Sequence, residues 1–135
     1  MKRPIIASTL LITAGVVLAE DVTGLDEIVC AAGQAHICLE TGECFSATPY
    51  ELSVPDFVVI DTKKRTVSTT KASGLNRSTT LSKIERNDGL IYLQGMEGGR
   101  AFSFVIHEAT GRLTVAVSRD GLSVTVFGAC TDSNL

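Results

Sequence analysis

The chain has 135 residues, with 12 basic and 15 acidic side chains and no tryptophan. That length, once an N-terminal segment is set aside, suits a single domain with a modest core. An acidic total with few aromatics near its basic residues argues against a nucleic-acid binder, which needs a dominant basic surface with interleaved rings.

The first 19 residues, "MKRPIIASTLLITAGVVLA", carry the three-part pattern of a secretory signal. Lys2 and Arg3 give a positive start, and an apolar run extends from Ile5 to Leu18. Val17 and Ala19 place small residues before the expected cleavage point. The run is shorter than the roughly 20 residues of a membrane span; the rival reading is an uncleaved N-terminal anchor. Cleavage after Ala19 leaves a single domain, 20–135, of 116 residues. No later segment is long and apolar enough to span a membrane. The expected destination is outside the cytoplasm, periplasmic or secreted. The expected mature chain keeps 10 basic and 15 acidic residues, a formal net charge of −5. Nine acids and no Lys or Arg fall between Glu20 and Asp61, and seven bases with one acid, Glu85, between Lys63 and Arg86. The two segments are read as neighbours that partly neutralise each other, the alternative being a bipolar surface that docks a partner.

Cys30, Cys38, Cys44 and Cys130 form an even set in a chain expected to be exported, so they are read as disulfides. Four cysteines allow three connectivities. Cys38–Cys44 and Cys30–Cys130 are expected, because the "LETGE" between Cys38 and Cys44 has a turn-forming Thr-Gly at its centre. The stretch "CAAGQAHICLETGECF" then becomes a stapled hairpin or loop. Its Cys-x7-Cys-x5-Cys spacing is not that of a structural zinc site, nor does it contain Cys-x-x-Cys. His36 is read as a hairpin or surface residue, with a weak site of His36, Glu40 and Glu43 as the alternative.

Downstream, short strands alternate with turns. "FVVID", "TKKR" and "TVSTT" form one predicted hairpin; "AFSFVIH", "EATG" and "RLTVAVS" form a second of the same shape, with Asp61 aligned on His107. Each is followed by an Asp-Gly, at Asp88-Gly89 and Asp120-Gly121, a strong hairpin signal between alternating apolar segments. Both of these segments end in glycine, at Gly95 and Gly128. A duplicated β-meander explains the pattern; shared strand composition is its rival. Phe102, Phe104 and Ile106 fall on one face, as do Leu113, Val115 and Val117, and Leu122, Val124 and Val126, the period-two pattern of an antiparallel sheet with one wet side. The predicted fold is all-β, about eight to ten short strands in a small antiparallel barrel or sandwich. His107 is read as exposed.

The chain has no Gly-x-Ser-x-Gly elbow, phosphate loop, His-Glu-x-x-His or calcium loop. No catalytic residue, metal or cofactor is expected, and the protein is read as a non-enzyme. Its partner is expected to be a protein or an envelope ligand. Two segments are candidate binding loops. One is Gly95 to Arg100, with Gly95, Glu97, Gly98, Gly99 and Arg100; the other is Ser73 to Thr80, with Asn76 and Arg77. In outline, with its expected signal, about 110 mature residues, antiparallel strands and a late cysteine in "RDGLSVTVFGAC", the chain is similar to small periplasmic β-barrel proteins, among them the bacterial lysozyme inhibitors. That resemblance implies a binding or inhibitory module and carries over no residue, since no inhibitor loop motif is matched. A structural or envelope-interaction domain is the second reading.

Overall fold

The computed structural model describes residues 4–5 and 20–134. The expected signal segment lies, but for residues 4 and 5, outside the described residues. The domain is all-β, with ten strands: β1 Glu27–Leu39, β2 Cys44–Ala47, β3 Phe57–Asp61, β4 Thr66–Thr69, β5 Ser78–Thr80, β6 Lys83–Asn87, β7 Leu90–Glu97, β8 Arg100–His107, β9 Arg112–Arg119 and β10 Leu122–Asp132. Helical turns among the described residues are confined to Tyr50–Leu52 and Lys71–Ser73. No helix of the described residues is long and apolar enough to cross a membrane.

The turns expected from the sequence join strands as anticipated. Asp88 and Gly89, both with positive φ (50° and 74°), link β6 to β7 as a mirror-image turn requires. Gly42, with φ 92°, turns β1 into β2. All strand pairs are antiparallel, and nine strands run in the order β5-β4-β3-β1-β10-β9-β8-β7-β6, with β2 paired to β1. The outermost strands, β5 and β6, are joined by Leu81 and Ser82 alone. A sheet whose two edges are consecutive in the chain must curl until those edges approach, and the result is a half-barrel with one concave face.

β1 is the organising strand and is longer than a stapled loop. A register shift at Ala32/Gln34 bends it. Its first half pairs with β3 and its second half with β2, while β10 follows it along the other side. The repeat is therefore only partly structural. β8, β9 and β10 form one continuous meander, whereas the other copy is divided: β3 and β4 lie toward one edge of the sheet, β6 and β7 at the other.

Side chains on the concave face make the core. Ile28, Ile60, Ile91, Leu93 and Ile106 are fully buried, and Phe104, Leu113, Val115, Val124 and Val126 join them. Each such side chain stabilises the fold by about 1.5–3 kcal/mol on burial. Cys30 and Cys130 are direct register partners on β1 and β10 and form a buried disulfide across 100 residues. Cys38 and Cys44 are partners on β1 and β2 and form the second, across six. This is the pairing favoured on sequence.

The acidic and basic segments meet at few points. Lys63 Nζ lies 3.2 Å from Asp26 Oδ2, with both side chains exposed, which is worth little. Arg86 reaches back to the Leu25 carbonyl and lies 3.5 Å from the buried Glu108.

Candidate functional site

The concave face holds a half-open cavity of about 110 Å³. That is well above the ~10–15 Å³ one water needs, and comparable with the ~150 Å³ apolar cavities that take up benzene. Its walls come from distant parts of the chain. Phe102 and Phe104 of β8 and Val115 and Val117 of β9 form one side; Val58 of β3 and Val67 of β4 form the other. The rings of Phe102 and Phe104 are tilted against each other, with centroids 5.5 Å apart. The alternation read from the sequence explains this: Phe102, Phe104 and Ile106 of β8 and Leu113, Val115 and Val117 of β9 share the inward face.

Polar groups gather at one place on the cavity wall, where the two candidate binding segments come together. Arg77, just before β5, directs Nε and Nη2 to the two carboxylate oxygens of Glu97 at 3.2 and 3.1 Å. Its Nη1 donates to the Ser53 carbonyl at 3.2 Å. One guanidinium thus ties β5, the end of β7 and the loop before β3. The bonds from Arg77 hold the Glu97 carboxyl below its ordinary value of 4.5; burial opposes the shift, and the nearby Arg77 and Arg100 charges reinforce it.

Arg100 opens β8 directly opposite Glu97 and lines the same cavity. Its guanidinium Nε is buried and has no hydrogen-bond partner; among the described residues it is the one buried side-chain nitrogen or oxygen so placed. With Glu97 matched by Arg77, the cluster carries one cationic charge in excess.

The candidate loop residues thus divide. Glu97, Arg100 and Arg77 line the cavity. Gly98 and Gly99, with φ 55° and 78°, are the two-residue turn between β7 and β8. Asn76 is exposed with φ 50° and lies outside the cavity lining. Gly95 is not in a loop: it is a buried residue of β7, and the Phe102 ring lies across it, so close that a Cβ there would meet the ring at 2.6 Å. The candidate loop read over 95–100 shrinks to a two-residue turn because the β7–β8 ladder runs through to Glu97 and Arg100.

Cys38 and Cys44 are bonded to each other, which withdraws them as ligands beside His36. His36 shares a hydrogen bond with Ser46 Oγ at 3.3 Å and meets the Phe127 ring edge-on. His107 Nδ1 pairs with Thr110 Oγ1 at 2.9 Å within its own turn. Sequence reasoning missed the aliphatic wall of β3 and β4, and the Arg77–Glu97 clamp across 20 residues. The only early signal of that clamp was an Arg and a Glu in two separate polar segments. Comparison of the chain with protein-family models, curated proteins and solved structures gives no match.

Proposed function

We propose that the protein is an exported binding module that holds a small, largely apolar ligand inside its half-barrel. The observation that carries this reading is the cavity, walled by aliphatic and aromatic side chains from both arms of the sheet, with three charged side chains at one place on its wall. Ligand sites have this composition: apolar walls supply affinity, and a few placed polar groups supply orientation. The site needs no cofactor to act as a receptor. The two disulfides favour an oxidising compartment. Cleavage after Ala19 fits the anchoring of Glu20, whose N–H donates to the Cys130 carbonyl at 3.2 Å and whose Oε2 accepts from Thr131 Oγ1 at 2.8 Å. Intact mass of the exported protein before and after reduction and alkylation tests the compartment: a mass for 20–135 with four alkylations only after reduction is expected.

The binding reading is tested by titrating toluene into the mature protein and following the methyl resonances of Val58, Val67 and Val117. Saturable shifts at these valines, lost in a cavity-filling Val117→Phe variant, are expected. Shifts absent from all three would remove the reading.

A further inference from the structure

We infer that the ligand of this cavity is a small amphipathic carboxylate, with its apolar chain between the two arms of the sheet and its anionic head on Arg100. The inference rests on the ligand-binding reading above and adds the chemical class. Three observations carry it.

First, the two arginines beside the cavity are not equivalent. Arg77 has Nε, Nη1 and Nη2 all engaged, on Glu97 and the Ser53 carbonyl. Arg100 has a buried, unpartnered Nε, and no ion pair among the described residues involves it. A buried donor without a partner is costly, and a guanidinium cannot relieve the cost by losing its proton. The Nε is shielded even from a water-sized group, so a ligand would meet this guanidinium through its unpaired terminal nitrogens, Nη1 and Nη2.

Second, the charge count selects the head group. Glu97 is committed to Arg77, so one positive charge remains for a ligand. A monoanion matches it, whereas a dianionic phosphate would need a second free cation. The planar fork of a guanidinium also fits a carboxylate with two parallel hydrogen bonds.

Third, the volume limits the tail. Judged by the ~150 Å³ cavities that hold the six carbons of benzene, a cavity of about 110 Å³ accommodates an apolar group of about four to five carbons. The walls around it, Val58, Val67, Phe102, Val115 and Val117, offer an extended chain no further charge to meet.

The test compares n-octanoate with octan-1-ol, which has the same chain and no charge, by NMR titration of the mature protein. Octanoate is expected to bind about 10- to 100-fold more tightly, the range of a charge-assisted hydrogen bond. From butanoate to hexanoate, affinity is expected to rise about fourfold per methylene, and to level off in longer chains that outgrow the cavity. Arg100→Gln should abolish the preference for the anion. Arg100→Lys keeps the charge without the fork and should reduce the preference without abolishing it, which keeps the assignment open to test if R100Q does not fold. Equal binding of octanoate and octan-1-ol to the native protein would overturn this inference while leaving the cavity reading intact. Failure of both to bind would overturn the two together. A full anion preference in R100Q or R100K would show that the head group sits elsewhere.

Discussion

The β3–β4 and β8–β9 hairpins share a sequence pattern and a turn, yet they carry different burdens. In the first, a four-residue connection follows Asp61 and ends at Arg65; in the second, one follows His107 and ends at Gly111. Arg65 and Gly111 both have positive φ, 58° and 69°. Each offers its carbonyl to a distant backbone N–H: Leu81 at 2.8 Å for Arg65, Cys130 at 2.7 Å for Gly111. The surroundings of the side-chain position differ. Arg65 projects into solvent, whereas Gly111 is buried, and a Cβ there would collide with the Cys130 carbonyl and sit 2.6 Å from the Glu20 carbonyl oxygen. The same local solution is optional at the margin of the sheet and obligatory where the N-terminal segment crosses it. Local sequence chose the turn; tertiary packing set how much substitution it tolerates.

Breaking the second hairpin's support should have the largest effect. Replacing Cys30 and Cys130 together by Ala is expected to destabilise the domain by about 4–5 kcal/mol in chemical denaturation, since this bridge closes the long loop. The same change at Cys38 and Cys44, which close a short loop on a more exposed hairpin, should cost only about 2 kcal/mol. Equal losses would show that loop length is not what distinguishes the two bridges.

Gly111→Ala is expected to cost about 3 kcal/mol, from the left-handed backbone and the collision with backbone atoms that cannot move aside. Arg65→Gly is expected to be neutral or to stabilise by up to ~1 kcal/mol, because it relieves an unfavourable φ without losing a packed side chain. Midpoints measured side by side sharpen the comparison; comparable losses in both variants would dissolve it.

The smallest effect is electrostatic and joins the two arms of the sheet. The folded-state pKa of Glu97 lies below its ordinary 4.5, so its contribution is complete above that value and disappears as pH falls through the depressed one. Below pH 4.5 the native protein should therefore lose stability more steeply than Glu97→Gln. The difference should shrink in salt, since this pair is only half-buried. Parallel acid limbs for the two proteins would count against the clamp.

The concave surface of β8, β9 and β10 was legible in the sequence. Phe102, Phe104 and Ile106, and the alternating residues of β9 and β10, show a period of two with no helical competitor, and Asp-Gly turns fixed neighbouring strands. β1 was not legible as one strand. Its 13 residues include Gly33 at a register shift and a stretch of small residues, and its apolar face reads clearly only beside β10. The binding site was legible in pieces. Arg77, Glu97 and Arg100 were named from polar, glycine-bearing segments, but their meeting was not foreseeable, because it depends on the sheet curling until β5 nears β7.

Alternation and turn chemistry act over a few residues, so the sequence by itself determined the strand class, the hairpins and the inward-facing residues, while it left three cysteine pairings open. The tertiary structure decided the order of strands, the division of the repeated segments between the sheet's two edges, and the cavity. It also gave one arginine a partner and left the other's Nε without one. Those outcomes depend on contacts between residues far apart in sequence, whose energies exist only once the whole sheet has curled around its core.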